Sequence, residues 1–271
     1  MTKLLIYLPI LLFLSCSGYH EQAESDSIAC HGRITKIIAH RGYWKAEGAC
    51  ENSIKALEAA AMLGADGTEF DVWVTKDDSV IVNHDATYAG KTISDTKYSE
   101  LIKVSLPNGE KLPTLREYLK AAKKFPHLIL FIEIHDERLL SHILYIVKQE
   151  ELKNNIIFTS FMKFVCERLH SMDRSLTIAP LQPLPSYGSI HEYSKSFKGI
   201  AFSLKYFKEH EGIISQAIED GLMLATWTVG GSDVYDWFFD RGFQYVITDN
   251  PHMLVTHTNG NKKYWYDETG F

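Results

Sequence analysis

Four cysteines in 271 residues, no Cys-x-x-Cys pair and no basic run set the first limits on this chain. So few cysteines exclude a disulfide-dense scaffold, and their spacing offers no zinc site. Lys and Arg number 28 against 34 Asp and Glu, a formal charge of −6, which gives no electrostatic footprint for nucleic acid. No Gly-x-Gly-x-x-Gly follows the first candidate strand, which argues against a dinucleotide fold. Internal repeats and low-complexity tracts are also missing. What is present is 45% hydrophobic and 23% charged residues. That composition excludes disorder and describes a globular protein of one large domain or two small ones.

The N-terminus has an apolar run, but a short one. Leu4 to Leu14 spans 11 residues behind Lys3, well under the roughly 20 needed to cross a bilayer as a helix. Residues 1–16 therefore read as a secretory leader. Phe13-Leu14-Ser15-Cys16 resembles a bacterial lipobox in which Cys16 is lipidated, with Phe13 departing from the usual aliphatic residue. A plain cleaved signal is the alternative. Ser17 to Arg33 is polar and aperiodic, as a tether would be. The expectation is an exported domain, membrane-attached through a lipid on Cys16. Of the other cysteines, Cys30 and Cys50 are candidates for a pair, and Cys166 reads as a core thiol.

From Ile34 onward, short apolar runs alternate with helical-period segments. The candidate strands are Ile34–Ala39, Thr68–Val74, Leu128–Ile134, Asn155–Thr159, Leu176–Ala179, Gly199–Leu204, Met223–Thr228 and Tyr245–Thr248. Amphipathic stretches lie between them: Ser53 to Leu63, stopped by Gly64; Leu139 to Val147; Ile213 to Ile218, stopped by Gly221; and a helix capped by Ser232 and closed by Gly242. Eight strands alternating with helices predict an α/β chain folded as a (β/α)8 TIM barrel over residues 34–258. A small insertion follows the second strand at about 86–111, and 259–271 form a tail. A doubly wound open sheet is the competing architecture.

Active sites of such barrels lie at the carboxyl ends of the strands. Glu69 and Asp71, at i and i+2, share one strand face, and the next strand brings Glu133. Unpaired buried carboxylates cost several kcal/mol, so three at a barrel mouth describe a Ca²⁺ or Mg²⁺ site; neutralisation by lysines or solvent is the plainer alternative. His40 ends the first strand, Arg41 adjoins it, and His84 follows a further short apolar piece, Ser79–Val82. Two imidazoles for proton transfer, an arginine fork and a divalent cation are the parts that phosphate-ester cleavage requires. His40 and Arg41 can share a site only if the chain turns there, which Gly42 permits.

These residues fall into an ordered set: His40-Arg41-Gly42, Glu51-Asn52-Ser53, Gly64-Ala65-Asp66, Glu69-Phe70-Asp71-Val72, Thr75, His84-Asp85, Pro113-Thr114-Leu115, Glu133 and Trp227-Thr228-Val229. The set resembles the glycerophosphodiester phosphodiesterase family over nearly the whole chain from Ile34 to Pro251. The resemblance implies metal-dependent hydrolysis of a glycerophosphodiester to glycerol 3-phosphate and an alcohol, through a cyclic phosphate. It implies Glu69, Asp71 and Glu133 as metal ligands, His40 and His84 as the acid–base pair, and Arg41 on the phosphate. Where the family usually carries a phosphate-reaching lysine this chain has His135, which is expected to contact substrate in its place. Trp227 either fills the barrel top or packs on the glycerol or head group. Asn52 or Ser53 caps a helix, and Asp85 orients an imidazole or begins the insertion. Phospholipase C or lysophospholipase D activity, and a barrel that binds without cleaving, are the rival readings.

Overall fold

Strand residues in this chain alternate between two apolar destinations, and that alternation builds the molecule. In β1 (Lys36–Ala39), Ile37 packs outward against helices while Ile38 packs inward beside Phe131, Ala201, Ala225 and Ile247. In β2 (Gly67–Val74), Phe70 and Val72 face the outer layer. Glu69 and Asp71 therefore face the interior. The computed structural model describes residues 35–181 and 189–258. The expected leader and tether (1–33), with Cys30, the candidate partner of Cys50, and the tail (259–271) lie outside the described residues.

After β2 come the short β3 (Val80–Val82), β4 (Thr87–Tyr88), β5 (Lys91–Thr92) and α2 (Tyr98–Leu101). α1 (Ile54–Leu63) precedes β2, and α3 (Leu115–Ala122) leads into β6 (Ile129–Ile134). Then follow α4 (Leu140–Gln149), β7 (Ile156–Thr159), α5 (Lys163–Met172), β8 (Thr177–Ile178), α6 (Ile190–Ser194) and β9 (Gly199–Ser203). The chain continues through α7 (Leu204–Glu209), α8 (Gly212–Glu219), β10 (Met223–Val229), α9 (Ser232–Phe239) and β11 (Tyr245–Thr248) to a helix at 251–258.

The parallel strands run β8-β7-β6-β2-β1-β11-β10-β9, and β3 adds to β2 antiparallel. β1 is paired on both sides, by β2 and by β11. The ring is nearly closed, and at the seam Ala201 N donates to Pro180 O at 3.2 Å. This is a (β/α)8 barrel, and the open-sheet alternative falls. The insertion carries a small core of its own, in which Ile81, Ile93, Leu101, Leu106 and Leu112 pack with Trp73 and Tyr98. Among the described residues no helix is long and apolar enough to cross a membrane.

Two local readings are corrected, and one that was open is decided. The expected strand Leu176–Ala179 shrinks to the two residues of β8, because it lies at the seam with one full ladder partner. The cap of α9 is Gly231, in an extended conformation, with Ser232 the first helical residue. Ser53 caps α1 by accepting from Ala56 N, which releases Asn52 for another task. Cys166 is fully buried, as expected of a core thiol.

Gly67 is where β2 enters between β1 and β6. A methyl group there would run into the Ile129 carbonyl and lie 2.7 Å from Ile38 Cδ1. Gly67→Ala is expected to destabilise the barrel by about 1–3 kcal/mol, the usual cost of overpacking. A thermal melt within experimental error of wild type would contradict that.

Candidate active site

The strand ends converge on a cavity of about 200 Å³ lined on one side by His40, Arg41, Glu69, Asp71, His84, Glu133 and His135. The lining also holds the apolar Phe161, Leu181, Trp227 and Ile247. All the site residues expected from sequence thus meet in one place.

The turn after β1 explains how two successive residues reach the same cavity. Arg41 adopts a left-handed conformation (φ 54°), followed by Gly42 (φ 78°), so Arg41 itself makes the turn that sequence assigned to the glycine alone. Such a conformation costs an ordinary residue about 1–2 kcal/mol. It is held because Arg41 N donates to Glu69 Oε2 at 3.0 Å. Gly42 is required for a second reason: a Cβ there would sit 2.7 Å from Ala56 Cβ on α1.

Both imidazoles are gripped at the same atom. His40 Nδ1 bonds Asp249 Oδ1 at 2.7 Å, and His84 Nδ1 bonds Asp85 Oδ1 at 2.8 Å. An ionised carboxylate only accepts. Each Nδ1 therefore carries the hydrogen, and each Nε2 is the nitrogen left to exchange a proton. His40 Nε2 lies 3.9 Å from Glu69 Oε2. The bond from His40 also holds the Asp249 carboxyl below its ordinary pKa.

The carboxylates are crowded and dry. β2 and β6 place Asp71 directly beside Glu133. Burial pushes the Glu69 pKa well above its ordinary value, reinforced by the charges of Asp71 and Glu133. Burial likewise pushes Glu133 up to about 7. Asp71 goes the other way: hydrogen bonds from His135 and Asn52 outweigh its burial and lower it. Glu69 Oε1 is buried without a hydrogen-bond partner. An orphaned carboxylate oxygen facing two more carboxylates is the electrostatic signature of a cation site, so the donor set fits a divalent ion. Asp71, Glu133 and His135 also offer one atom each, all within 4.8 Å of one another.

Several contacts were not visible in the sequence. Asn52 Nδ2 donates to Asp71 Oδ2 at 2.8 Å, and Glu51 Oε2 accepts from Arg41 Nη1 at 2.7 Å. The Glu-Asn-Ser motif was in hand, but only the fold shows that its first two members serve the site and its third the helix. The partner of His40, Asp249, lies 209 residues away and carries no local mark of that contact. Trp227 Nε1 donates to Ala201 O at 2.7 Å, which pins the indole to the wall, and Phe161 meets it edge-on at 5.4 Å. His135, expected to reach for substrate, lines the cavity and directs Nε2 at Asp71 Oδ1 (2.9 Å) and Glu133 Oε1 (3.2 Å).

Two imidazoles beside an arginine and a carboxylate cluster can supply what phosphoester hydrolysis requires, and they stand at the mouth where parallel barrels do their chemistry. The class is that of the (β/α)8 phosphodiester hydrolases. Residues 40–253 match the model of the glycerophosphoryl diester phosphodiesterase family, and the chain belongs to that family. A glycerophosphodiester phosphodiesterase of Caldanaerobacter subterraneus is 28% identical over 240 residues, covering 82% of this chain and 96% of the relative. A solved glycerophosphodiester phosphodiesterase from Parabacteroides distasonis superposes with a TM-score of 0.79 at 33% identity, over 84% of this chain and 98% of that one. A phosphodiesterase of Oleispira antarctica, solved with the product sn-glycerol-3-phosphate, shares the fold with a TM-score of 0.74 at 18% identity, over 85% and 99% of the two chains.

Proposed function

We propose that this chain hydrolyses a glycerophosphodiester to glycerol 3-phosphate and an alcohol, with His40 and His84 as its acid–base pair. The observation that carries the reading is the matched pair of Asp-held imidazoles, both leaving Nε2 for proton transfer, in one cavity with Arg41 and three carboxylates. A divalent cation held among Glu69, Asp71 and Glu133 would supply positive charge beside the phosphoryl oxygens.

The chain's own residues do the rest. The Arg41 guanidinium binds the phosphate, its position set by Glu51 and by the turn at its own backbone. One imidazole Nε2 takes the proton from the glycerol 2-hydroxyl as that oxygen bonds to phosphorus. The other Nε2 delivers a proton to the departing alkoxide as its P–O bond breaks. A cyclic phosphate results. Water then opens it, with the two imidazoles exchanging roles, so that both return to their starting protonation. Trp227 and Phe161 wall the cavity on its apolar side, where the alcohol portion is sheltered from water.

Glycerol 3-phosphate release from glycerophosphocholine, measured with and without a chelator, tests this reading. Release that stops on chelation is expected. Binding of the diester without release would favour the non-catalytic barrel, and phosphocholine as the product would favour phospholipase C chemistry.

A further inference from the structure

His135 sits where the family resemblance puts a lysine, and the exchange changes what the position can do. An ammonium only donates hydrogen bonds and repels a metal cation; a neutral imidazole has a lone pair and is a metal ligand. The geometry aims the nitrogen for the second use, in which an arriving ion displaces the hydrogen that Nε2 turns to Asp71 in the metal-free protein. His135 follows β6 by one residue, and its ring lies flat on Trp73, with centroids 5.1 Å apart and planes 4° from parallel. Trp73 is itself anchored, its Nε1 donating to His84 O at 3.0 Å. The imidazole is thus held with Nε2 toward the two carboxylates rather than toward open solvent. Asn52 occupies Asp71 Oδ2, which leaves Oδ1 as the oxygen turned to His135.

We propose that His135 Nε2 is a direct ligand of the divalent cation, together with Asp71 and Glu133. The site then takes a borderline first-row ion such as Co²⁺ or Zn²⁺ in preference to Ca²⁺ or Mg²⁺, and Mn²⁺ serves as the spectroscopic probe. The inference rests on the reading of this mouth as a metal-assisted phosphodiesterase centre. Two carboxylate oxygens and one imidazole nitrogen within 4.8 Å of one another form a mixed donor set. Hard Ca²⁺ and Mg²⁺ select all-oxygen cages, whereas imidazole suits later first-row ions such as Zn²⁺. Phosphate binding then falls to Arg41, the one arginine or lysine among the described residues lining the cavity.

The rival use of His135 is as an internal cation, hydrogen-bonded to both carboxylates with no nitrogen reaching the metal. The purified full chain, stripped by chelator and reloaded with Mn²⁺, separates the two. Electron spin-echo spectroscopy is expected to show ¹⁴N coupling to Mn²⁺ in wild type and none in His135→Gln. By equilibrium dialysis, His135→Gln should weaken Mn²⁺ and Zn²⁺ binding roughly tenfold or more, and Mg²⁺ binding by less than about threefold. No ¹⁴N coupling in wild type, coupling that persists in His135→Gln, or equal weakening for all three ions would overturn the proposal. The wild-type spectrum needs no variant, so a His135→Gln protein that failed to fold would not decide the matter. Glycerol 3-phosphate release by the same Mn²⁺-loaded wild type is scored separately. Release without nitrogen coupling overturns the ligand alone, and coupling without release overturns the hydrolytic reading alone.

Discussion

His40→Ala and His84→Ala are each expected to lower kcat by roughly 10²–10⁴, the usual cost of losing a general acid or base. Neither change should unfold the protein. His84 is substantially exposed, in the loop between β3 and β4, and His40 stands just beyond the end of β1 rather than in a packed layer. KM should move little in comparison, because the proposed phosphate contact is Arg41. Asp249→Ala offers a graded control: it keeps the His40 ring but frees its Nδ1, and should cost less than removing the ring. Steady-state kinetics on purified variants, with circular dichroism to verify folding, give the answer. Turnover near wild type in either histidine variant would remove that residue from the chemistry.

The carboxylates make the second large effect. Glu69→Gln together with Asp71→Asn should abolish metal binding and turnover alike, since the charge that holds the cation is lost. In the metal-free protein the same groups set a pH dependence of stability. The folded-state pKa of Glu133 is raised to about 7 from an ordinary 4.5, and Glu69 is raised as well. The folded state therefore holds protons that the unfolded chain has released between about pH 4.5 and 7. Their stabilising contribution is complete below the unfolded pKa and disappears as pH rises through the folded one. Glu133 alone corresponds to about 3 kcal/mol across that window. His135, whose burial would lower its pKa, is raised by Asp71 and Glu133, and so adds in the same direction. The Tm of the metal-free protein should fall from pH 5 to pH 8. A divalent cation should restore it, binding more tightly at the higher pH because protons must leave the ligands. A Tm that is flat over this range, or a metal affinity independent of pH, would contradict the assignment of these groups.

The barrel was readable because its strands obey simple rules. Ile37 and Ile38 announce opposite faces by adjacency, and Glu69 and Asp71 announce a shared face by their spacing of two. The family motifs then put the right side chains at the right strand ends. What the sequence could not show is which groups touch across long separations. Asp249 is 209 residues from His40, and Asp71 is 64 from His135. Nothing local marks Asn52 rather than Ser53 as the residue that leaves the helix end to hold a carboxylate. Trp73 illustrates the same limit. Its spacing of two from Asp71 places it on the face of the site, yet its stacking on His135 depends on the β2–β6 register and its anchoring on where the loop after β3 returns.

The ladder between β1 and β11 makes the active centre a property of the finished chain. His40 N donates to Thr248 O, and the imidazole is held from the next residue, Asp249. A polypeptide ending before Tyr245 would contain both histidines, the arginine and every carboxylate of the cluster, yet nothing would seat the first imidazole or complete the far side of β1. The proposed acid–base pair is thus assembled by the joining of β1 to β11. Possession of the reactive groups and possession of their arrangement are separated by the last of the described strands.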